Sequence, residues 1–513
     1  MIKRTVKLLL AASLGVGGIM TVHPVPVRAE AAMDAPIGST AQVIDRAYAL
    51  HLIPEGAKPS AKLDGDKWDI AFASDAKDEY GLPLHVGEIA LSAIDGKLLR
   101  YSASFKSTFR GQPGDDPNDE SLMAFTVEEA QAIAAKFVEQ QDWQLDDDWM
   151  FDPYPVAGRE TRFEVKRFPN IRFARSHDGI RDSQDSVVVK VDRMTGEIDS
   201  FYVKWEARAY SPNTAGEAAW IDVSAAGEIF YNTIQPFLKW QALIDPDRPR
   251  LVYALHSEYL MTPDGKFPKE YQWENPPFAE KIKPAYSGDL AKTRLLSMYD
   301  LTTEYADGKL AYKLRLKPEI AFFDDGLHPV LDANTGEWLD FLNRPIEEPF
   351  PLAGDWLVQS APAGKIDYAA AVVWDNELLR LQDEPITEDD YTLVPFRELL
   401  EKLGALIAWD PVARKVTAGK DGTWIELTVD SDSVLINGEE KKLEAPARIR
   451  NGRTYVPARL VLETFGAKVG WNPESRLVLV STAVSLPALS PEELKRHRFQ
   501  AQLDWENKAR RHN

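Results

Sequence analysis

Side chains that could bind a metal ion or act as nucleophiles are few in this chain and widely spaced. Cysteine is absent, which excludes disulfides, thiol catalysis and thiolate metal sites. No two histidines have the i, i+4 spacing of a helical zinc site, and neither H-E-x-x-H nor G-x-S-x-G occurs. We therefore predict surface or packing roles for the eight histidines, which are His23, His51, His85, His177, His256, His328, His497 and His512.

Carboxylates are numerous, with 80 Asp and Glu residues, so their mere presence identifies no site. Gly114–Ser121 and Asp146–Asp148 could offer oxygen ligands to calcium, but neither has EF-hand spacing. Solvated loops are the favoured interpretation, and weak calcium binding is the alternative. A glycosidase-like carboxylate pair also stays open, in the irregular region 215–345 that contains Glu270–Phe278.

Two tryptophans and two arginines recur at matched positions and form the candidate binding or structural motif. Trp409 and Trp471 each follow a short apolar run, which favours a shared buried packing role over a platform for stacking sugar rings. Arg397 and Arg459 each follow a proline near a helix start, where the helix dipole disfavours a cation. We expect each arginine to be held by a carboxylate or by strand carbonyls. No catalytic, metal or cofactor residue is predicted.

The elements that carry these residues are repeated along the chain. Thr392–Pro411 reads TLVPFRELLEKLGALIAWDP, and Thr454–Pro473, 62 residues later, reads TYVPARLVLETFGAKVGWNP. Each predicts a strand, a helix that begins at proline and ends at Gly404 or Gly466, and a hairpin. Residues 372–418 and 434–480 are thus predicted to be two copies of one hairpin–helix–hairpin unit.

The second copy carries the pattern N-G-x-x-x-x-L-x-x-P, then N-G-R-T-x-V-P-x-R, a helix, G-A and W. Residues 366–482 thereby resemble the bacterial stalk domain, also called the copper amine oxidase N-terminal domain. The resemblance implies an extracellular accessory or spacer domain and does not imply copper binding. The first copy has Asp375-Asn376 and Asp389-Asp390 where the second has Asn-Gly, so longer or irregular hairpins are expected there.

A weaker repeat precedes this domain. Three segments share a strand, a turn that closes on Asp-Gly or Thr-Gly, and a second strand: Glu88–Phe105, Val188–Trp205 and Leu327–Phe341. A helix with a capping box is predicted over Thr126–Gln141, and Ser39–Ile53 and Ile221–Leu238 are predicted to play the same part. These helix-plus-hairpin units resemble PepSY-like domains, particularly YcdB/YcdC repeats. That resemblance implies a peptidase as one class of partner.

The N-terminus has the features of an export signal. Lys3, Arg4 and Lys7 precede an apolar run, and Val27-Arg28-Ala29 offers small residues for cleavage. Residues 1–29 are therefore predicted to be a signal peptide, and no later segment is apolar enough to cross a membrane. The net charge of −20 opposes nucleic-acid binding. Cysteine-free exported chains suit a Gram-positive envelope, so we expect a secreted, extracellular protein with the cell wall as a further location.

The sequence therefore predicts an α+β multidomain protein, in which tandem helix-plus-antiparallel-sheet (PepSY-like) units precede a duplicated hairpin–helix–hairpin stalk domain. Its predicted parts are residues 1–29, 33–110, 121–210, 215–345, a linker over 346–365, the stalk domain over 366–482 and a charged helix within 483–513. The favoured function is a non-enzymatic exported binding or scaffold protein, whose partner is an extracellular protein such as a peptidase or a cell-wall polymer. The alternative is an exported hydrolase that acts on wall glycan or peptide through a carboxylate pair.

Overall fold

A computed structural model provides the structure of the protein. It describes residues 36–77, 81, 83–105, 123–141, 143, 149–152, 167–204, 221–241, 249–255, 259–268, 283–306, 308–318, 320, 329–340, 343–346, 350–389, 391–486 and 488–510. The fold is mixed α+β and rich in sheet, as predicted. None of the helices in these ranges combines the length and hydropathy needed to span a bilayer. The predicted signal peptide, both acidic loops and Glu270–Phe278 lie outside the described residues.

The first two predicted units contribute two helices and eight strands. Their bounds are α1 (Thr40–Ala49), β1 (Ala57–Asp64), β2 (Lys67–Ser74), β3 (His85–Ser92), β4 (Leu98–Phe105), α2 (Val127–Gln140), β5 (Trp149–Phe151), β6 (Asn170–His177), β7 (Ile180–Val191) and β8 (Ile198–Lys204). Helix α2 begins with the predicted capping box, since Thr126 and Glu129 bond each other's backbone N–H.

Among the described residues, the third predicted unit and the predicted linker 346–365 contribute seven strands and three helices, and the last helix lies within the linker. Their bounds are α3 (Val223–Thr233), β9 (Phe237–Gln241), β10 (Arg250–Ala254), β11 (Tyr259–Met261), α4 (Gly288–Leu296), β12 (Tyr299–Ala306), β13 (Lys309–Leu316), β14 (Val330–Asp332), β15 (Trp338–Leu339) and α5 (Asp355–Ser360). Strands β15, β14, β10 and β9 form one four-stranded sheet. Helix α3 packs against helix α5.

Strands from all three units join in one eleven-stranded sheet. The order is β1-β2-β3-β4-β8-β7-β12-β13-β11, with β6 beside β7 and β5 beside β6. Strand β4 pairs with β8 at Tyr101 and Phe201, and β7 pairs in parallel with β12 at Arg181 and Glu304. The first two units also share one buried apolar cluster. The three segments therefore form a continuous body.

The three predicted Asp…Gly turns are present and use the predicted chemistry. Gly96, Gly196 and Gly336 all have positive φ values, of 70°, 77° and 73°. In the second and third turns, the carboxylates of Asp192 and Asp332 accept backbone N–H groups at 2.9 Å from the residues that follow them. These side chains close the hairpins β7–β8 and β14–β15.

The C-terminal domain contains two runs of elements with the same order and with lengths that differ by at most one residue. The first is β16 (Ala371–Trp374), β17 (Glu377–Leu379), β18 (Ile386–Glu388), β19 (Tyr391–Pro395), α6 (Phe396–Lys402), β20 (Leu406–Asp410) and β21 (Lys415–Lys420). After β22 (Thr423–Thr428) come β23 (Ser433–Ile436), β24 (Glu439–Lys442), β25 (Arg448–Arg450), β26 (Arg453–Pro457), α7 (Ala458–Thr464), β27 (Lys468–Asn472) and β28 (Leu477–Ser481). Helix α8 (Pro491–Ala509) ends the described chain.

The expectation of longer or irregular hairpins in the first run is wrong. Strand β16 ends at Trp374 and β17 begins at Glu377, so the intervening turn has the same two residues as its counterpart between β23 and β24. Asp375 and Asn376 take φ values of 48° and 72°, and Asn437 and Gly438 take 50° and 87°. Asp and Asn tolerate the left-handed region that a two-residue hairpin turn requires, so Gly is not needed there.

The two runs meet through equivalent residues. Strand β19 pairs antiparallel with β26, and Val394 lies opposite Val456, its counterpart 62 positions later. Three sheets result, with orders β17-β16-β28-β27, β18-β19-β26-β25 and β20-β21-β22-β23-β24. They enclose one apolar core, to which α6 and α7 contribute Leu399, Leu400, Val461 and Leu462.

Helix α8 holds the C-terminal domain against the third unit. Asp504 accepts two hydrogen bonds from Arg380 of the domain, both at 2.8 Å. Asn507 accepts from Arg294 at 2.8 Å and from Trp338 at 2.9 Å, and both of these residues belong to the third unit. The predicted charged helix is therefore present and docks on both neighbours.

Candidate functional site

An open groove of about 380 Å³ lies in the C-terminal domain, where the two runs of elements meet. One wall is α6, another is strand β20, and the third is the turn between β25 and β26. The groove brings together Arg397 and Trp409, two of the four residues singled out from the sequence. Their counterparts Arg459 and Trp471 belong to the second run, on the other side of the β19–β26 pairing.

The expectation that both tryptophans are buried is wrong. Trp409 is 38% exposed and Trp471 is 42% exposed. Trp409 lies opposite Val416 on the core-facing side of its sheet, yet β20 is the outermost strand, so the ring extends past the core to the solvent. Trp471 lies opposite Val478 in the same relation. Which strands lie at sheet edges depends on long-range pairing and could not be predicted from the local pattern.

Both predicted arginines lie beside carboxylates, at the solvent-exposed start of their helices. Arg397 Nη1 is 3.5 Å from Glu401 Oε1, and Arg459 Nη1 is 3.8 Å from Glu444 Oε1. All four side chains are about half exposed, so these ion pairs add little to stability. The two arginines therefore present hydrogen-bond donors at the surface and contribute little to the packing of the core.

The charges in the groove are largely neutralised within it. Arg453 Nε is 2.9 Å from Asp383 Oδ2. Glu398 accepts the backbone N–H groups of Gln382, at 2.6 Å, and Asp383, at 3.2 Å. Each of these contacts occupies part of the hydrogen-bonding capacity of its partners. The exposed apolar surface of the groove comes from Ile407, Trp409 and Ile449, beside the polar side chains.

The end of β20 is fixed by its own aspartate. The Asp410 carboxylate accepts the backbone N–H groups of Val412 and Ala413, at 2.8 and 3.0 Å. These hydrogen bonds hold the pKa of Asp410 below its ordinary value, so the carboxylate stays ionised and the turn stays closed. The strand therefore presents a defined edge to the groove.

A second, larger cleft was not foreseen from the sequence. It has a volume of about 490 Å³ and lies between α4, residues 361–365 and α8, with mostly apolar walls that include Leu290 and Phe499. Arg294, only 1% exposed, lies at this cleft and donates to Tyr286 and Asn507. Burial lowers the pKa of Arg294. Three segments far apart in sequence form the cleft, so no local pattern could have indicated it.

The lining of the groove contains no histidine, cysteine, serine or lysine, and its carboxylates are Asp383, Glu398 and Glu401. Within the described residues, no group of three or more His, Asp or Glu side chains is arranged to hold a metal ion. The groove thus combines an exposed aromatic ring, apolar walls and paired charges, an arrangement suited to holding a polymer chain.

Comparison with known families agrees with this geometry. Residues 373–480 match the copper amine oxidase N-terminal domain. The match covers the groove and both runs of elements, and it supports the C-terminal domain predicted from the repeated motif. The copper amine oxidase N-terminal domain is a non-catalytic domain.

Among solved structures, the Bacillus megaterium YpeB C-terminal domain aligns with 55% of this chain and 99% of its own length. The sequence identity is 11% and the TM-score is 0.29. A TM-score this low gives no support to a shared fold.

Proposed function

We propose that this protein is an exported, non-enzymatic protein of the bacterial envelope that binds another extracellular macromolecule through its C-terminal domain. The observation that carries the proposal is the groove beside β20, where Trp409 is 38% exposed among charges that are already paired. Large exposed aromatic side chains next to apolar walls are typical of contact surfaces. The match to a non-catalytic domain supports binding over turnover.

The N-terminal segments fit an accessory role as PepSY-like units of the YcdB/YcdC type. What supports this assignment is a recurring order, in which helices α1, α2 and α4 each precede two strands and then a hairpin with an Asp…Gly turn. In the third unit this helix is α4, whereas the sequence predicts α3, within Ile221–Leu238, for the same part. Such units point to a peptidase as one class of partner, and a cell-wall polymer is the other. The proposal requires no cofactor, neither copper nor calcium.

Export to the outside of a Gram-positive cell completes the proposal. It is supported by the basic and apolar residues of positions 1–29, by the absence of cysteine and by the match to an accessory domain. Retention on the wall would then be non-covalent and would depend on the binding surface itself.

Affinity capture tests the proposed function. Residues 30–513 are immobilised and incubated with cell-wall fragments and with culture supernatant, beside Trp409→Ala and Trp471→Ala variants. We expect the wild-type chain to enrich a wall polymer or an exported protein, and Trp409→Ala to lose most of it. Equal recovery on all three chains would contradict the proposal. So would turnover of peptidoglycan or peptide that a single Asp or Glu substitution abolishes, which would establish the hydrolase instead.

A further inference from the structure

The outer edge of strand β20 has no neighbouring strand among the described residues. In an antiparallel pair, alternate residues direct their N–H and C=O groups away from the partner strand. We propose that β20 binds an extended polypeptide segment of a partner protein, which adds to the sheet as a further strand. This inference rests on the proposed binding function and names the class of partner.

Strand β20 lacks the features by which proteins protect sheet edges. Its first four residues, Leu406 to Trp409, include no charged residue and no proline, and its register with β21 runs without a bulge. The charge of Asp410 stands only at its end, where the carboxylate bonds the following turn. Leu406, at its first position, is 83% exposed. By contrast, β24 at the other edge of the same sheet consists of Glu439, Glu440, Lys441 and Lys442, all exposed.

The equivalent strand of the second run differs from β20, so the fold itself does not require an unprotected edge at this position. Strand β27 occupies the corresponding edge position and carries Lys468 where β20 carries Leu406. Leu486 packs directly on its middle residue, because a Cβ atom at Gly470 would lie 2.8 Å from Leu486 Cδ1. In β20 the middle residue is Ala408, which is exposed. Strand β27 thus begins with a lysine and has Leu486 packed on one face of its middle residue, whereas β20 has exposed apolar residues at both positions.

The groove beside β20 defines which side chains the added strand would carry. Successive residues of a strand point to opposite faces, so every second side chain of the incoming segment would enter the groove. There it would meet Trp409, Ile407 and Ile449. Because Arg397 and Arg453 already have carboxylate partners, the groove favours apolar or aromatic side chains over charged ones.

A glycan would form fewer contacts with this site than a polypeptide strand would. A sugar ring could stack on Trp409, but its hydroxyl groups do not repeat with the spacing of the unpaired backbone groups along β20. A polypeptide strand satisfies those groups about 4.8 Å from β20 and fills the groove at the same time. The open edge and the groove therefore favour a protein partner.

A phage-displayed library of random heptapeptides is the probe for this site. The library is selected on the wild-type chain after depletion on a Leu406→Lys variant, which carries the lysine found at the equivalent position of β27. We expect enriched peptides to have apolar or aromatic residues at alternate positions. No enrichment over the depleted background would overturn the proposal.

The best enriched peptide is then synthesised with and without N-methyl groups at alternate residues, which block strand hydrogen bonds and leave the side chains unchanged. We expect N-methylation in one of the two alternate registers, and also Trp409→Ala, to raise the Kd by at least about tenfold. Trp471→Ala, at the equivalent exposed position, should leave it unchanged. Equal binding of both methylated peptides and the unmodified peptide would refute strand addition.

Soluble glycan strands from peptidoglycan serve as the second probe. Trp409-dependent binding of glycan with no peptide binding would overturn the strand-addition proposal and leave the proposed binding function standing. If neither probe binds and affinity capture also fails, the binding function itself fails. Circular dichroism of Leu406→Lys and Trp409→Ala verifies that both variants remain folded.

Discussion

At the scale of single residues, the least expected feature is a group of buried charges where the second unit meets the third. Glu304 is fully buried, and its carboxylate lies 3.0 Å from Arg315 and 3.3 Å from Lys313. Arg315 also approaches Asp152 of the second unit at 3.6 Å. Buried charges are tolerated only when they are paired, so each member depends on the others.

Replacing Glu304 with glutamine should therefore be strongly destabilising. The Glu304→Gln change keeps the shape of the side chain but leaves Arg315 and Lys313 buried beside a neutral amide. We expect the free energy of unfolding to fall by about 3–5 kcal/mol. Urea denaturation followed by tryptophan fluorescence measures this change.

The matched control is Asp75→Asn, because Asp75 forms an exposed ion pair with Lys58 at 2.6 Å. Exposed pairs contribute little, so this variant should unfold almost like the wild-type chain. A Glu304→Gln effect no larger than that of the control would show that the buried charges do not hold the second and third units together.

At the scale of elements, helix starts and turns could be predicted from the sequence, but the strands that lie at the edges of the sheets could not. The capping box at Thr126, the positive φ at Gly196 and the helix that follows Pro395 all depend on residues close in sequence, and all were predicted. The exposure of Trp409 depends on strand order, which long-range pairing decides. The turn at Asp375-Asn376 was misjudged because Asp and Asn can replace Gly at positive φ.

Helix α8 contains a titratable residue that makes its packing sensitive to acid. His497 is 8% exposed, and burial, with a smaller contribution from Arg496, lowers its pKa below the ordinary value of about 6.5. Between those two pKa values the unfolded chain binds more protons than the folded chain. Stability therefore falls as the pH drops through about 6.5 and levels off below the folded pKa.

A His497→Gln variant should lose this part of the pH dependence. We expect the urea midpoint of the wild-type chain to fall more steeply between about pH 7 and pH 5 than that of the variant, whose glutamine stays neutral. Midpoints measured at several pH values in a constant ionic strength provide the comparison. Parallel curves for the two chains would show that His497 does not contribute.

At the scale of the whole molecule, helix α8 links two bodies, the C-terminal domain and the third unit, which have separate apolar cores. Its contacts reach Arg380 in the C-terminal domain and Arg294 and Trp338 in the third unit, whereas the described core of the C-terminal domain contains no residue of α8. This arrangement could not be predicted, because an amphipathic pattern shows that a helix packs but not where it packs.

Deleting residues 488–513 should therefore separate the two bodies without unfolding the C-terminal domain. We expect the melting transition of that domain to be nearly unchanged, while the transition of the third unit falls because Phe499 no longer covers its core. Differential scanning calorimetry measures both transitions. Limited proteolysis should then cut within residues 361–365, which line the cleft beside α8.

The point substitution Asn507→Ala is the milder version of this test. It removes the shared acceptor of Arg294 and Trp338 but leaves the helix itself intact. Protease sensitivity between that of the wild-type chain and that of the shortened chain is the expected outcome. If the shortened chain resists proteolysis as well as the wild-type chain does, α8 does not hold the C-terminal domain against the third unit.

The pairing of Val394 with Val456 has a consequence for assembly. A polypeptide with only one of the two runs would find its missing neighbour in a second molecule, so its completion would depend on concentration. With both runs on one chain, the encounter is intramolecular and its effective concentration is fixed by the connecting residues. Dilution, which would dissociate two separate halves, therefore cannot separate these.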